Sequence, residues 1–347
     1  MNVVRHSDIP LGWDTLAWEL GTFYHHPAWI TGVARCLRYR VHWLTVHDGD
    51  RLAGGLVLAE VPGLLGGIRL VSFPFSFIAG PMATRAEVAT ALLGEAEALG
   101  RERQAKRVEV KQFGPTAAAP ARGWVRTDRY RTYRILPEGG EAAVWKRLHV
   151  TSTQQRIRKG QKAGVQVVDG RSPEDWLAMA RLEERIQQGH GVPAPPRALF
   201  LDVCRTLQNA GLADLYLAKV PDGRVAAGFV MFKGPREWIY AFSASDPGLV
   251  KEYRPTHVLL WAGLQRAVAA GVVLDLGRTS PEQGSLAEFK ERWGARADTL
   301  AYDYWPDAGG LLNARRDRGA LAAAAKVWAA LPAPVARLGS ALYRYLG

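Results

Sequence analysis

The sequence predicts an α/β protein with mixed sheets in two tandem domains, followed by a basic helical tail. Three observations carry this. A length of 347 residues suits two domains of ordinary size. Hydrophobic residues make up 48% of the chain and charged residues 22%, enough apolar material for real cores. The second half alternates regularly, with three strands, a helix, a strand, a helix and a strand, and the first half repeats this order more loosely. The expected domains are 1–138 and 139–306, with the tail over 307–347.

In the first domain, His25, His26, Pro27, Ala28 and Trp29 open a helix, with proline near its first turn where its missing N–H costs nothing. The histidine pair His25 and His26 has no third ligand nearby, so a helix start with an aromatic anchor is favoured over a metal site. Val41–His47 and Leu52–Glu60 read as a hairpin around Asp48-Gly49-Asp50. An aromatic strand from Leu70 ends at Ala79-Gly80-Pro81, a helix covers 87–104, and strands follow at 107–113 and 130–136.

The second domain begins with the most basic stretch of the chain. Between Trp145 and Arg171, seven Lys and Arg face one acidic residue, Asp169. Thr151, Ser152 and Thr153 offer a helix cap, so 154–163 is expected to be helical, with Arg158, Lys159 and Lys162 on one side. Together with Arg156 they are candidates for phosphate or tRNA contact; a plain solvated face is the alternative. Helices are predicted at 173–188, 197–210 and 255–270, and strands at 215–220, 225–232 and 238–243.

Forty-five Lys and Arg against thirty-three Asp and Glu leave a net charge of +12, which favours polyanionic partners such as nucleic acid, nucleotide-linked substrates or an anionic membrane face. The stretch MNVVRHSDIP lacks the apolar core of a signal peptide, and no apolar run is long enough to span a bilayer. Cys36 and Cys204 stand alone, without metal-ligand spacing. A cytoplasmic protein without metal or cofactor is expected. In the tail, arginines interleave with Leu, Trp and Tyr, which suits packing on the domain or peripheral contact with the inner face of a membrane.

The chemistry concentrates between Val272 and Trp305. An alternating strand runs into Gly277 and Arg278, and the loop TSPEQGS follows. A short helix, Leu286–Trp293, stops at Gly294, and an aromatic strand, Thr299–Trp305, closes the segment. Leu286, Phe289 and Trp293 share the spacing of a buried face, which puts Lys290 at its edge. A solvated surface lysine is one reading of Lys290. A positive charge aimed along the loop is the other.

The order DLGR, FK, WGA and an aromatic strand resembles the C-terminal part of the Fem family, non-ribosomal aminoacyltransferases of the GNAT superfamily. HPAW at 26–29, SFPFSFIAGP at 72–81, QQRIRKGQKAGVQV, WIYAFSAS at 238–245 and RPTHVLLWAGLQRAVAAG at 254–271 extend the resemblance over most of the chain. It implies two tandem GNAT-like domains, here without the coiled-coil arm of the longest members. It also implies transfer of an amino acid from aminoacyl-tRNA to an amine on the stem peptide of a UDP-linked or lipid-linked muropeptide, a step of peptidoglycan synthesis. The resemblance carries a role in transfer to Lys290 and a place beside the acceptor to Phe289. Asp275, Arg278, Tyr240 and Trp29 are further substrate-binding candidates.

Aminolysis of an ester builds negative charge on the carbonyl oxygen, and a lysine at its ordinary pKa supplies a compensating field rather than a base. Two rivals remain. A GNAT-type acyl-CoA-dependent N-acyltransferase usually has a glycine-rich turn for pyrophosphate at a helix start. The corresponding segment, Glu252–His257, contains no glycine. A non-catalytic protein that binds RNA or membrane would keep the same motifs without turnover.

Overall fold

The computed structural model describes residues 1–114, 117–118, 122–306, 328–331 and 339–347. They form two compact units. Unit 1 consists of Met1–Thr132 with the segments that begin at Asp298 and at Arg344, and unit 2 is built on Tyr133–Ala297.

Unit 1 contains β1 (Val3–His6), α1 (Trp13–Leu20), α2 (Pro27–Leu37), β2 (Arg40–Asp48), β3 (Arg51–Pro62), β4 (Ile68–Val71), β5 (Met82–Ala83), α3 (Ala86–Glu102) and β6 (Val108–Phe113). Strand β7 (Val125–Ile135) begins in it. The strands run in the order β1-β2-β3-β4-β6, with β5 against β3. The expected hairpin is present, and Trp43 pairs with Val57 in its register. Two adjacent glycines let helices approach both faces of β3. A Cβ on Gly54 would strike Val88 of α3 at 2.4 Å, and one on Gly55 would strike Trp13 of α1 at 2.6 Å. The expected aromatic strand is shorter than its composition suggests. It ends at Val71, and Phe73 and Phe75, flanking Pro74, sit at φ 50° and 59°, outside extended geometry.

Unit 2 contains α4 (Gly140–Arg147), α5 (Gln155–Lys162), β8 (Gln166–Gly170), α6 (Pro173–Gly189), α7 (Arg205–Asn209), β9 (Ala213–Lys219), β10 (Val225–Lys233), β11 (Glu237–Ser245), α8 (Pro247–Tyr253), α9 (Pro255–Ala269), β12 (Val273–Thr279) and α10 (Gly284–Arg292). Its strands run β12-β11-β10-β9-β8, antiparallel except for the β11–β12 pair. Consecutive residues of β10 show which helix covers which face. A Cβ on Gly228 would meet Met179 of α6, whereas Phe229 packs under Gly263 of α9. Helix α6 is therefore on one face and α9 on the other, with α4 and α5 against α9.

The closing strand β13 (Arg296–Trp305) corrects the expected partition. It pairs antiparallel with β6, from Leu300 opposite Phe113 to Trp305 opposite Val108, and so lies almost wholly in unit 1. Leu300, Tyr302 and Tyr304 share a buried cluster with Ile78. Asp303, fully buried, accepts hydrogen bonds from Gln112 and Arg126. The division between units falls after Thr132, inside β7, rather than at 138. Most of the expected basic tail lies outside the described residues.

Candidate active site

Unit 2 opens between β11 and β12. Their parallel register covers Glu237 with Val273, Trp238 with Leu274 and Ile239 with Asp275, and goes no further. On its other side β11 carries a bulge. Val230 pairs with Phe242 and Met231 with Tyr240, which leaves Ala241 as the extra residue. A bulge bends its strand and increases local twist, so β11 leaves β12 at the bulge. The remaining halves, Tyr240–Ser245 and Leu276–Thr279, form the two sides of the gap.

Lys290 holds the β12 side. Its Nζ donates to the carbonyl of Gly277 at 2.7 Å, to Thr279 Oγ1 at 2.8 Å and, more weakly, to the carbonyl of Arg278 at 3.3 Å. Carbonyls at the end of β12 are thus satisfied by an ammonium. This corrects the placement at the edge of a helix face. Lys290 is the buried residue of α10, only 5% exposed, with Tyr133 5.4 Å from its ammonium. Burial pushes its pKa down to about 8; the nearby Asp275 raises it and Arg278 lowers it further. Asp275 is fully buried, and its Oδ1 accepts the Gly277 N–H at 2.6 Å, fixing a backbone that passes through φ 80° at that glycine. Arg278 is exposed beyond it.

Phe289 is half-buried on α10, with the rings of His257 and Trp293 at 6.0 and 6.1 Å. His257 lies in the first turn of α9. Burial, then the charges of Arg156 and Arg254, lower its pKa to about 4, so it is neutral at pH 7. The glycine-free segment makes its turn with Arg254 at φ 51°. The basic helix α5 reaches this junction through Gly160, where a Cβ would lie 2.5 Å from Val258 and 2.7 Å from the Tyr253 carbonyl.

On the β11 side, the Tyr240 hydroxyl donates to Ser243 and its ring sits 4.9 Å from Phe229. Glu183 of α6 is close enough for its charge to raise the Tyr240 pKa, which burial first pushes up to about 12. Glu183 itself is 4% exposed, accepts a hydrogen bond from Gln187 at 2.7 Å, and is pushed up to about 7 by burial. Among the described residues no His, Cys, Asp and Glu cluster is arranged to hold a metal ion.

Residues 149–306 match the family model described as an acetyltransferase (GNAT) domain. No curated protein matches the sequence. A crystal structure of FemX superposes with a TM-score of 0.65 at 12% identity, over 86% of this chain and 96% of that one. The C-terminal domain of a putative lysylphosphatidylglycerol synthetase from Agrobacterium fabrum gives 0.58 at 10% identity, over 84% and 90%. L-PGS from Bacillus licheniformis gives 0.55 at 11%, over 93% and 96%. The chain has a Fem-like GNAT fold.

Within this Fem-like fold the predicted residues separate into groups. Lys290, Asp275 and Arg278 gather on β12, Phe289 lies beside them on α10, and Tyr240 stands on β11. Trp29 is in unit 1, 1% exposed, with its indole donating to Ser76 at 3.1 Å among Phe23 and Tyr24, as a core anchor does. The basic set divides as well. Arg158, Lys159 and Lys162 are exposed, with Arg158 5.4 Å from the Trp145 ring, while Arg156 is half-buried on the side of His257. The sequence reading missed Glu183 and His257. A signal for Glu183 was available: Trp176, Ala180 and Glu183 fall at i, i+4 and i+7, so a carboxylate occupies the apolar stripe of α6. His257 carried none, because its neighbours come from α5 and α10.

Proposed function

We propose that the protein is an aminoacyltransferase that moves an amino acid from aminoacyl-tRNA to an amine of a peptidoglycan precursor stem peptide. The observation that carries this reading is the gap between β11 and β12, with a buried lysine fixed against one wall. An ester carbonyl seated there meets a positive field in a place with little water, where developing oxyanion charge is stabilised most. Two of the Lys290 hydrogens are held at short distance by Gly277 and Thr279. The third, on the Arg278 carbonyl at 3.3 Å, is the one a reacting oxygen can recruit. At a pKa of about 8 the lysine remains mostly protonated at pH 7, as a charge stabiliser must. The exposed Arg158, Lys159 and Lys162 supply a surface for nucleic-acid phosphates.

The deciding assay offers purified protein a pool of radiolabelled aminoacyl-tRNAs with UDP-linked and lipid-linked muropeptides, then acetyl-CoA with the same acceptors. Label reaching the precursor from tRNA, and lost after RNase treatment, is the expected result. The family description as an acetyltransferase domain favours a second reading, an acyl-CoA-dependent N-acyltransferase. Transfer from acetyl-CoA alone would establish that second reading and exclude the first.

A further inference from the structure

We propose that the buried carboxylate of Glu183, beside the half of β11 that has left β12, binds the primary amine of the acceptor and takes up its proton as the amine attacks. The proposal rests on the acyl-transfer reading above and adds the chemistry of the second substrate to it.

The argument starts from a mismatch. The chain carries a cationic surplus of 12, yet among the described residues no Lys, Arg or His forms an ion pair with Glu183. On the same helix, Arg185 pairs with Asp246 and Arg197 reaches back to Glu184 at 2.6 Å, so cations are within reach of α6 and go elsewhere. A buried carboxylate costs stability unless it is paired. Here the compensation within the protein is one hydrogen bond from Gln187. A group kept at such a cost suits a ligand that brings the missing positive charge, and an alkylammonium does so.

The location fits. Helix α6 packs on β11 and β10, and its Arg185 pairs with Asp246 directly after β11, which sets this part of α6 beside the half of β11 beyond the bulge. The carboxylate's hydrogen-bond partner is Gln187 on α6. Tyr240 of β11, whose ring packs with Phe229 on the α9 face, is the titratable group that feels its charge. Helix α6 also packs on a turn over Leu199–Cys204 in which Leu199, Phe200, Val203 and Cys204 are buried. Burial in these surroundings holds Glu183 near neutrality, so it can alternate between acceptor and donor of a proton.

The step balances without a further reactant. The ammonium binds against ionised Glu183 and releases one proton to solvent. The nitrogen lone pair attacks the ester carbonyl carbon and the C–N bond forms. The nitrogen passes its second proton to Glu183, the C–O bond of the ester breaks, and the protonated carboxyl gives that proton to the departing hydroxyl oxygen.

The test separates this inference from the donor question. Thermal unfolding is followed at pH 8 with millimolar Nα-acetyl-lysine amide, which has a free primary amine, and with its Nε-acetylated counterpart. The amine is expected to raise the Tm of wild type, with an affinity about ten-fold or more above that for Glu183→Gln, and the uncharged counterpart to leave both unchanged. Without ligand, Glu183→Gln is expected to melt higher than wild type at pH 8 and by a clearly smaller margin at pH 5, which also checks that the variant folds. Glu183→Asp, keeping the charge, should retain amine-dependent stabilisation. Where transfer is measurable, Glu183→Gln should lower kcat/KM by roughly a hundred-fold and abolish its rise through pH 7. Equal amine shifts in wild type and Glu183→Gln, or unchanged kcat/KM, would overturn the assignment. Transfer absent with every donor, with the Glu183-dependent amine shift intact, would overturn the proposed reaction and leave the amine site standing.

Discussion

At the scale of the residue, Lys290 combines two duties that sequence spacing treats as alternatives. It braces β12 by donating to two carbonyls and a hydroxyl, and it puts a positive charge at the wall of a gap. Lys290→Ala is therefore expected to do two separable things. Leaving buried acceptors without a donor should lower stability by about 1–3 kcal/mol, read as a lower urea midpoint at unchanged m-value. Losing the charge should slow transfer by about a hundred- to thousand-fold. Lys290→Met keeps the stem volume and isolates the loss of the ammonium. Wild-type stability in both variants would exclude the bracing role.

At the scale of the element, α5 is organised by a contact and a charge on different sides. Gly160 lets it sit on the α8–α9 junction, where even one added methyl group meets Val258 and the Tyr253 carbonyl. Gly160→Val should cost about 1–3 kcal/mol through overpacking, measured by chemical denaturation. On the outer side, Arg158→Gln with Lys159→Gln should weaken tRNA binding and reduce the slope of log K against log salt by about 1–2, while the melting temperature stays close to wild type. An unchanged slope would assign these residues to simple solvation. Arg156 is expected to behave unlike its neighbours, since its charge acts on His257.

At the scale of the molecule, buried titratable groups in the two units set opposite pH trends. In unit 1, His25 is held between the Thr22 N–H and the Gly80 carbonyl, and burial lowers its pKa to about 4. Unfolded histidine takes up a proton below about pH 6.5, and folded His25 does so only near 4. Its contribution is whole above pH 6.5 and lost as pH falls toward 4, a change of about 3 kcal/mol. In unit 2, the raised pKa of Glu183 works the other way, so that its burden appears as pH rises from 4.5 through 7. His25→Gln should accordingly flatten the acid limb of a stability–pH profile, and an acid limb as steep as wild type would rule out His25 as its source.

How much the chain reveals before it folds depends on the range of the interaction. Periodicity and turn chemistry determined most elements, because a hairpin such as Arg40–Pro62 or a helix such as Pro255–Ala269 is written in residues adjacent in sequence. The motif order likewise determined the fold class and singled out Lys290 as a candidate. Three things were decided by tertiary structure. Strand β13 joined β6 because its buried side chains complete a cluster around Ile78. Lys290 turned inward because the end of β12 offered it two carbonyls and a hydroxyl. Glu183 was buried beside β11 because α6 packs on that strand and its Arg185 reaches Asp246 at the strand's end. Each depends on partners far apart in the chain, and local spacing carries no information about which distant surface will satisfy a carbonyl, a charge or an apolar face.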